Sequence, residues 1–199
     1  MKKTTVRKPQ DGVINFDQVE ESGRIKKWLR HLLFIRPIVL QFRGYVLDIG
    51  CGTGVYLEQY HGSHLGIDAH PNNIRICSAK KIVAIEADAN QFMQKDTFDT
   101  VLISHVLEHL DNPYGVINNA YLSTKHGGRI IIVVPCYEGF VYGLNGDEHS
   151  HKHFIDLAYL DQKMTKLGGK KIVSAIFPPL IGGRYQELRV IYEKPVIVE

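Results

Sequence analysis

From Tyr45 onward, short apolar runs alternate with stretches of helical period: "YVLDIG", "HLGID", "KIVAIEAD", "FDTVLIS" and "GRIIIVVP". Their apolar positions are largely contiguous rather than alternating, as in strands buried on both faces, and five such runs separated by loops and helices predict a parallel sheet. Two intervening segments carry helix signals at both ends. "DNPYGVINNAYLSTKHGG" sets Pro113 at a helix start, Val116, Ile117, Ala120 and Tyr121 on one face and Gly127 just past the end. "DLAYLDQKMTKLGG" offers Asp156 as cap, Leu157, Leu160, Met164 and Leu167 as the inward face and Gly168 or Gly169 as stop.

The pattern changes at both ends of the chain. "KKIVSAIF", a turn-rich "PPLIGGR" and "YQELRVIYEK" read as two strands joined without a helix, hence an antiparallel pair closing the sheet. Together the runs predict an α/β, doubly wound, seven-stranded sheet, mostly parallel with an antiparallel last strand. Upstream, residues 1–20 are polar, and "RIKKWLRHLLFI" places Ile25, Trp28, Leu29, Leu32 and Leu33 on the stripe of an amphipathic helix that Pro37 bends or ends. The predicted organisation is an arm over 1–43, with that helix, and one domain over 44–194.

Composition narrows the class. At 199 residues with 44% hydrophobic and 23% charged side chains, the chain has the balance of a globular domain. The cysteines at 51, 77 and 136 are odd in number and form no CxxC pair, so neither a disulfide framework nor a cysteine zinc site is expected. No apolar run approaches the length of a membrane span, and the N-terminus lacks the apolar core of a signal peptide, so a cytoplasmic protein is expected. The net charge of +3 is uneven: residues 1–44 hold ten Lys/Arg against four Asp/Glu, and the remainder 14 against 17. A basic arm would attract an anionic acceptor or surface, and Trp28 with Lys26, Lys27 and Arg30 makes it a candidate lid.

The stretch "VLDIGCGTGVYLEQY" carries the chemistry. A strand running into glycines and then a helix brings backbone N–H groups and a helix N-terminus around a nucleotide-like ligand. The glycines fall at Gly50, Gly52 and Gly54, and Val55 occupies the position that a dinucleotide fingerprint reserves for glycine; the P-loop pattern is absent as well. Asp48 at the strand end would repel a pyrophosphate but suits a cationic ammonium. Asp68, eighteen residues after Gly50, sits where such folds hold ribose hydroxyls, and Asp88 in "EADA" is placed to meet an adenine amino group.

In order along the chain, "VLDIGCGTG", "LGIDA", "EADA" and "FDTVLISHVLEHLDNP" resemble the successive motifs of the class I S-adenosylmethionine-dependent methyltransferases, particularly the type-11-like group. The likeness covers about residues 44–134 by motif and reaches about 193 by architecture, and it implies a Rossmann-like fold with S-adenosyl-L-methionine as cofactor. By that resemblance Asp48, Gly50, Gly52 and Gly54 line the methionine portion, with Cys51 at the loop's variable position. Asp68 holds both ribose hydroxyls with Ala69 beside it, Asp88 and Ala89 meet the adenine, and Ser104 and His105 flank the pocket.

Methyl transfer from a sulfonium is an in-line displacement that asks the protein mainly to align an acceptor and exclude water. A base matters only where the acceptor is a hydroxyl or a protonated amine, and histidines would supply it. They cluster as His105 and His109 in "SHVLEHL" and as His149, His151 and His153 in "GDEHSHKHF"; His105, His109 and His151 are the candidate catalytic residues. His105 and His109 are expected one helical turn apart on a shared face with Glu108 beside them. "HVLEH" also matches a zinc-protease pattern, which its place in the motif series argues against.

The expected acceptor is a small molecule, a sugar or another metabolite, methylated on oxygen or nitrogen, with no nucleic-acid partner and no assigned metal. Two alternatives remain open. His105, Glu108, His109 and a distant histidine resemble the Glu-x-x-Glu-His plus His arrangement of the metal-assisted small-RNA 3′-end ribose methyltransferases, from which His105 departs. A non-catalytic S-adenosylmethionine-binding sensor or scaffold would carry the same acids and glycines. Acceptor choice is expected in the arm, in loop 136–155 and in turn 178–184.

Overall fold

The structure is a computed structural model, and it describes residue 28 and residues 31–136, 151–177 and 186–197. Ile25, Lys26, Lys27, Leu29, Arg30 and His149, the turn 178–184 and most of loop 136–155 therefore lie outside the described residues. The strands are β1 (Val46–Ile49), β2 (His64–Asp68), β3 (Ala84–Glu86), β4 (Phe98–Ser104), β5 (Thr124–Pro135), β6 (Lys170–Phe177) and β7 (Glu187–Glu193). They form one seven-stranded sheet in the order β3-β2-β1-β4-β5-β7-β6, parallel except for β7, which runs antiparallel to both β5 and β6.

Helices α1 (Arg36–Val39), α2 (Pro71–Ala79), α3 (Pro113–Ser123) and α4 (Leu157–Leu167) cover the sheet. Adjacent residues of β1 feed opposite cores. Leu47 and Ile49 pack with Val116, Ile117, Leu160 and Met164 of α3 and α4, whereas Val46 joins Ile38, Phe42, Leu57 and Cys77 on the other face. This double burial explains the contiguous apolar runs. Asn112 caps α3 by accepting from Gly115 N, Asp156 caps α4 by accepting from Tyr159 N, and Gly168 ends α4 with φ of 88°.

Three local expectations change. Helix α3 ends at Ser123, and "TKHGG" belongs to β5, where the pairing with β4 jumps between Phe98 and Thr100 and Gly127 takes φ of 78°. Pro37 starts the turn α1 rather than ending a helix, after a π-helical turn at His31–Ile35. The stripe is displaced too: Trp28 is 61% exposed and Leu33 43%, while Ile35, Ile38 and Phe42 take the burial. A period of three to four residues is shared by several rotational settings, and the site of docking selects among them.

The consequence for function lies at β1 and β4. The chain leaves β1 toward β2 on one side, whereas β4 continues toward β5 on the other, so the loops beyond Ile49 and Ser104 diverge and open a crevice at the carboxyl edge of the sheet.

Candidate functional site

The glycine loop differs from a phosphate cradle. Gly50 N and Cys51 N both donate to Ile67 O, Gly54 N donates to Cys51 O, and Gly52 N donates to Asp68 Oδ2 at 2.9 Å. These amides are spent inside the protein. The expected helix behind them is only a 3-10 turn, Leu57–Gln59, so this loop does not lead into an α-helix N-terminus. An anion would find few free donors here, in keeping with a ligand that does not present a pyrophosphate.

The three glycines are required for different reasons. All have positive φ: 70° at Gly50, 53° at Gly52 and 78° at Gly54. A methyl group at Gly50 would fall 2.3 Å from Val106 Cγ2, and one at Gly54 would fall 2.5 Å from Ile82 Cδ1. At Gly52 it would meet nothing within 4 Å. Gly50 and Gly54 make room for the protein's own side chains, and Gly52 alone borders open space. Cys51 turns its side chain inward, 6% exposed, where burial pushes its thiol well up, so only its backbone is on offer to a ligand.

Asp48 is 1% exposed, and its Oδ2 has no hydrogen-bond partner. Burial, then the neighbouring charge of Asp68, hold its carboxyl well above the ordinary range. A cation brought to that oxygen would restore the ionised form. Asp68 is already served by three donors: Gly52 N on Oδ2, and His70 N with Asn73 Nδ2 on Oδ1. A carboxylate has about four lone-pair sites, so there is room for one further donor rather than for a two-hydroxyl grip. Ala69 follows on the exposed side. Asp88 lies two residues past β3, exposed, with Oδ1 accepting from Asn90 N at 2.8 Å, and half-buried Ala89 is braced by Asn119 Nδ2 on its carbonyl. These features fit an amino-acid-bearing nucleoside, with an unpaired buried carboxylate at one end, an open backbone beside it and acids at successive strand ends.

Beyond β4, Ser104 Oγ shares a hydrogen bond with Tyr56 OH at 2.9 Å. His105 takes φ of 53°, and its ring lies between two carboxylates, with Nε2 at 3.1 Å from Glu187 Oε2 and Nδ1 at 3.4 Å from Glu108 Oε1. Burial pulls its pKa down, but the flanking Glu108 and Glu187 outweigh that and raise it to about 9. The upward shift favours the imidazolium form, suited to donating hydrogen bonds and not to taking a proton. Glu187 is itself held by Arg189, Nε to Oε1 at 2.5 Å, and the guanidinium lies 4.2 Å from the Phe177 ring centroid.

The left-handed residue at His105 breaks the expected helix. Only a 3-10 turn, Leu107–His109, forms, so His105 and His109 do not share a helical face and "HVLEH" lacks the helix that the zinc-protease pattern requires. His109 meets His151 instead, with ring centroids 4.7 Å apart, and buried Glu108 lies beneath them. One ligand atom from each of Glu108, His109 and His151 fits within 4.8 Å of the others, the grouping among the described residues that could hold a metal. Tyr56, Glu187 and Arg189 were not singled out from the sequence. Tyr56 had a usable signal, its place in the loop "GTGVY", whereas Glu187 and Arg189 reach the site only through the antiparallel placement of β7.

Comparison with known proteins agrees with this geometry. The family described as a methyltransferase domain matches residues 47–132. An uncharacterized protein of Methanocaldococcus jannaschii is 30% identical over 137 residues, spanning 65% of this chain and 66% of that one. A tRNA U34 carboxymethyltransferase of Pseudoalteromonas translucida is 29% identical over 126 residues, and a ubiquinone biosynthesis O-methyltransferase of Maricaulis maris 35% over 97. The chain spans only 38% of the length of each of these two relatives. Among solved structures, a Bacillus halodurans methyltransferase superposes with a TM-score of 0.69 over 81% of this chain and 97% of its own, at 14% identity, a likeness of fold. The ordered motifs, the sheet order and the family match over residues 47–132 agree, and what the chain shows is a methyltransferase domain with the Rossmann-like fold of the S-adenosylmethionine-dependent methyltransferases.

Proposed function

We propose that the protein transfers a methyl group to an oxygen or nitrogen of a small-molecule acceptor, a sugar or another metabolite. The observation that carries the cofactor half of this reading is the combination of Asp48 near the end of β1, with its unpartnered buried oxygen, and Gly52, which opens onto free space in the loop that follows. S-adenosylmethionine supplies the methyl group already joined to a good leaving group. Asp48 receives the ammonium, Asp68 accepts one ribose hydroxyl while its other bonds fix the loop, and Asp88 with Ala89 forms the adenine edge. Tyr56, Ser104 and His105 line the far wall, where both His105 ring nitrogens are engaged with carboxylates and take no proton from the acceptor, and one hydroxyl of the Tyr56–Ser104 pair is the group that donates to an acceptor oxygen.

Charge supports a small acceptor over a nucleic acid, since residues 45–199 hold 14 Lys/Arg against 17 Asp/Glu, a poor surface for a polyanion. Among the described residues no helix is long and apolar enough to cross a membrane. The test is incubation with methyl-labelled cofactor and a panel of phenols, sugars, amines and tRNA. Label in a small molecule is the expected result; label in tRNA alone overturns the acceptor class. Tight cofactor binding without product anywhere favours a sensor.

A further inference from the structure

We propose that Glu108, His109 and His151 bind a divalent transition-metal ion, zinc by the nature of the donors, at the carboxyl edge of β4. The starting observation is Glu108. It is 2% exposed, and neither carboxylate oxygen makes a hydrogen bond to any described residue. Its Oε1 has charge contacts to His105 Nδ1 at 3.4 Å and His109 Nε2 at 4.0 Å, and no contact of this kind serves Oε2. The His105 ring faces Oε1 alone, so Oε2 still lacks the partner that a buried carboxylate oxygen ordinarily has.

The second observation is the backbone that brings the third ligand in. Glu108 O accepts from both Lys152 N, at 2.6 Å, and His153 N, at 3.2 Å, while Lys152 Nζ pairs with Asp111 Oδ1 at 2.6 Å. The segment just after His151 is thus fastened to the residue whose carboxylate completes the cluster. The two imidazoles stand ring against ring, 4.7 Å between centroids, and the three ligand atoms lie within 4.8 Å of one another. Zinc bonds of about 2.0 to 2.2 Å put tetrahedral ligands roughly 3.4 Å apart. Pivoting of the imidazole rings about their side-chain bonds would close the difference, and the His109 side chain is 40% exposed.

Two imidazoles and one carboxylate form a three-protein-ligand set that leaves a coordination position open, the arrangement of catalytic rather than structural zinc. If the acceptor binds along this edge, as the functional reading holds, the open position would take its oxygen; binding of the ion itself does not rest on that reading.

The experiment uses untagged full-length protein stripped with chelator, titrated with zinc chloride by calorimetry and with cobalt(II) by visible absorption. One ion per chain is expected, with cobalt bands of tetrahedral intensity. His109→Ala and His151→Ala should each lose at least about tenfold in affinity, and His126→Ala, at an exposed site beside Pro195, should not. Circular dichroism checks the fold, and Glu108→Gln is read only if folded. No stoichiometric ion, or unchanged affinity in both histidine variants, overturns the proposal. A parallel thermal shift with S-adenosylmethionine, without metal, separates the two ideas: cofactor binding without zinc overturns this one alone, and zinc without cofactor overturns the functional reading alone.

Discussion

His105 Nε2 and Glu187 Oε2 lie 3.1 Å apart although 82 residues separate them in sequence. The contact exists because β7 runs antiparallel between β5 and β6 and sets its first residue, Glu187, opposite Pro135 at the end of β5. Glu187 is 6% exposed and also binds Arg189, so Glu187→Ala strips Arg189 of its carboxylate and leaves His105 with Glu108 alone. A loss on the order of 3 kcal/mol in unfolding free energy is expected, read from urea denaturation at pH 7. A loss below about 0.5 kcal/mol would place the pair among weak surface contacts.

Asp48 sets stability against function. Its folded pKa is raised, first by burial and then by Asp68, so the unfolded chain gives up this proton before the folded chain does. Stability then falls as pH climbs above about 4, where the unfolded carboxyl ionises, until the folded one ionises too. Asp48→Asn is expected to unfold at a higher denaturant concentration than the parent at pH 7, with the gap narrowing toward pH 4. Its affinity for S-adenosylmethionine should fall by roughly 1.5 to 3 kcal/mol, the range for a hydrogen bond to a charged group.

The three glycines should respond differently to alanine. Gly50→Ala and Gly54→Ala drive a methyl into Val106 or Ile82 at a left-handed residue, and both should lose well over 1 kcal/mol of stability. Gly52→Ala meets only open space and carries the left-handed penalty of about 1 to 2 kcal/mol. Its defect should appear chiefly in calorimetric cofactor affinity. Equal affinity losses in all three variants, after correction for the folded fraction, would mean that Gly52 has no special place at the ligand.

Asp68 accepts from Gly52, His70 and Asn73. Asp68→Ala should therefore lower the thermal midpoint even without cofactor, because three donors lose their acceptor. Affinity for S-adenosylmethionine should also drop, by about 1.5 to 3 kcal/mol. A lower midpoint with unchanged affinity would make Asp68 a support of the glycine loop and nothing more.

The sheet, its last antiparallel strand and both long helices were legible in the sequence because double burial and capping leave local marks: contiguous apolar runs, Asp156 before α4, Gly168 after it. The site was legible to the extent that it follows strand ends, as Asp48 and Asp68 do. Glycine spacing could not tell a ligand's approach from that of Val106 or Ile82, since both demand a missing side chain. Nor could the pattern "HVLEH" disclose the positive φ at His105, which uncouples it from His109 and sends the two imidazoles to different neighbours. Glu187 and Arg189 depend on pairing between distant strands, about which a local window is silent.

The insertion of β7 between β5 and β6 also governs assembly during synthesis. When β6 leaves the ribosome, the strand it must pair with has not yet been made, so it waits as an unpaired ribbon whose Ile172, Val173 and Ile176 stay exposed even in the folded protein. Only the arrival of β7 seats both strands at once, which makes this edge the last to pair and the first place where a newborn chain would stick to its neighbour.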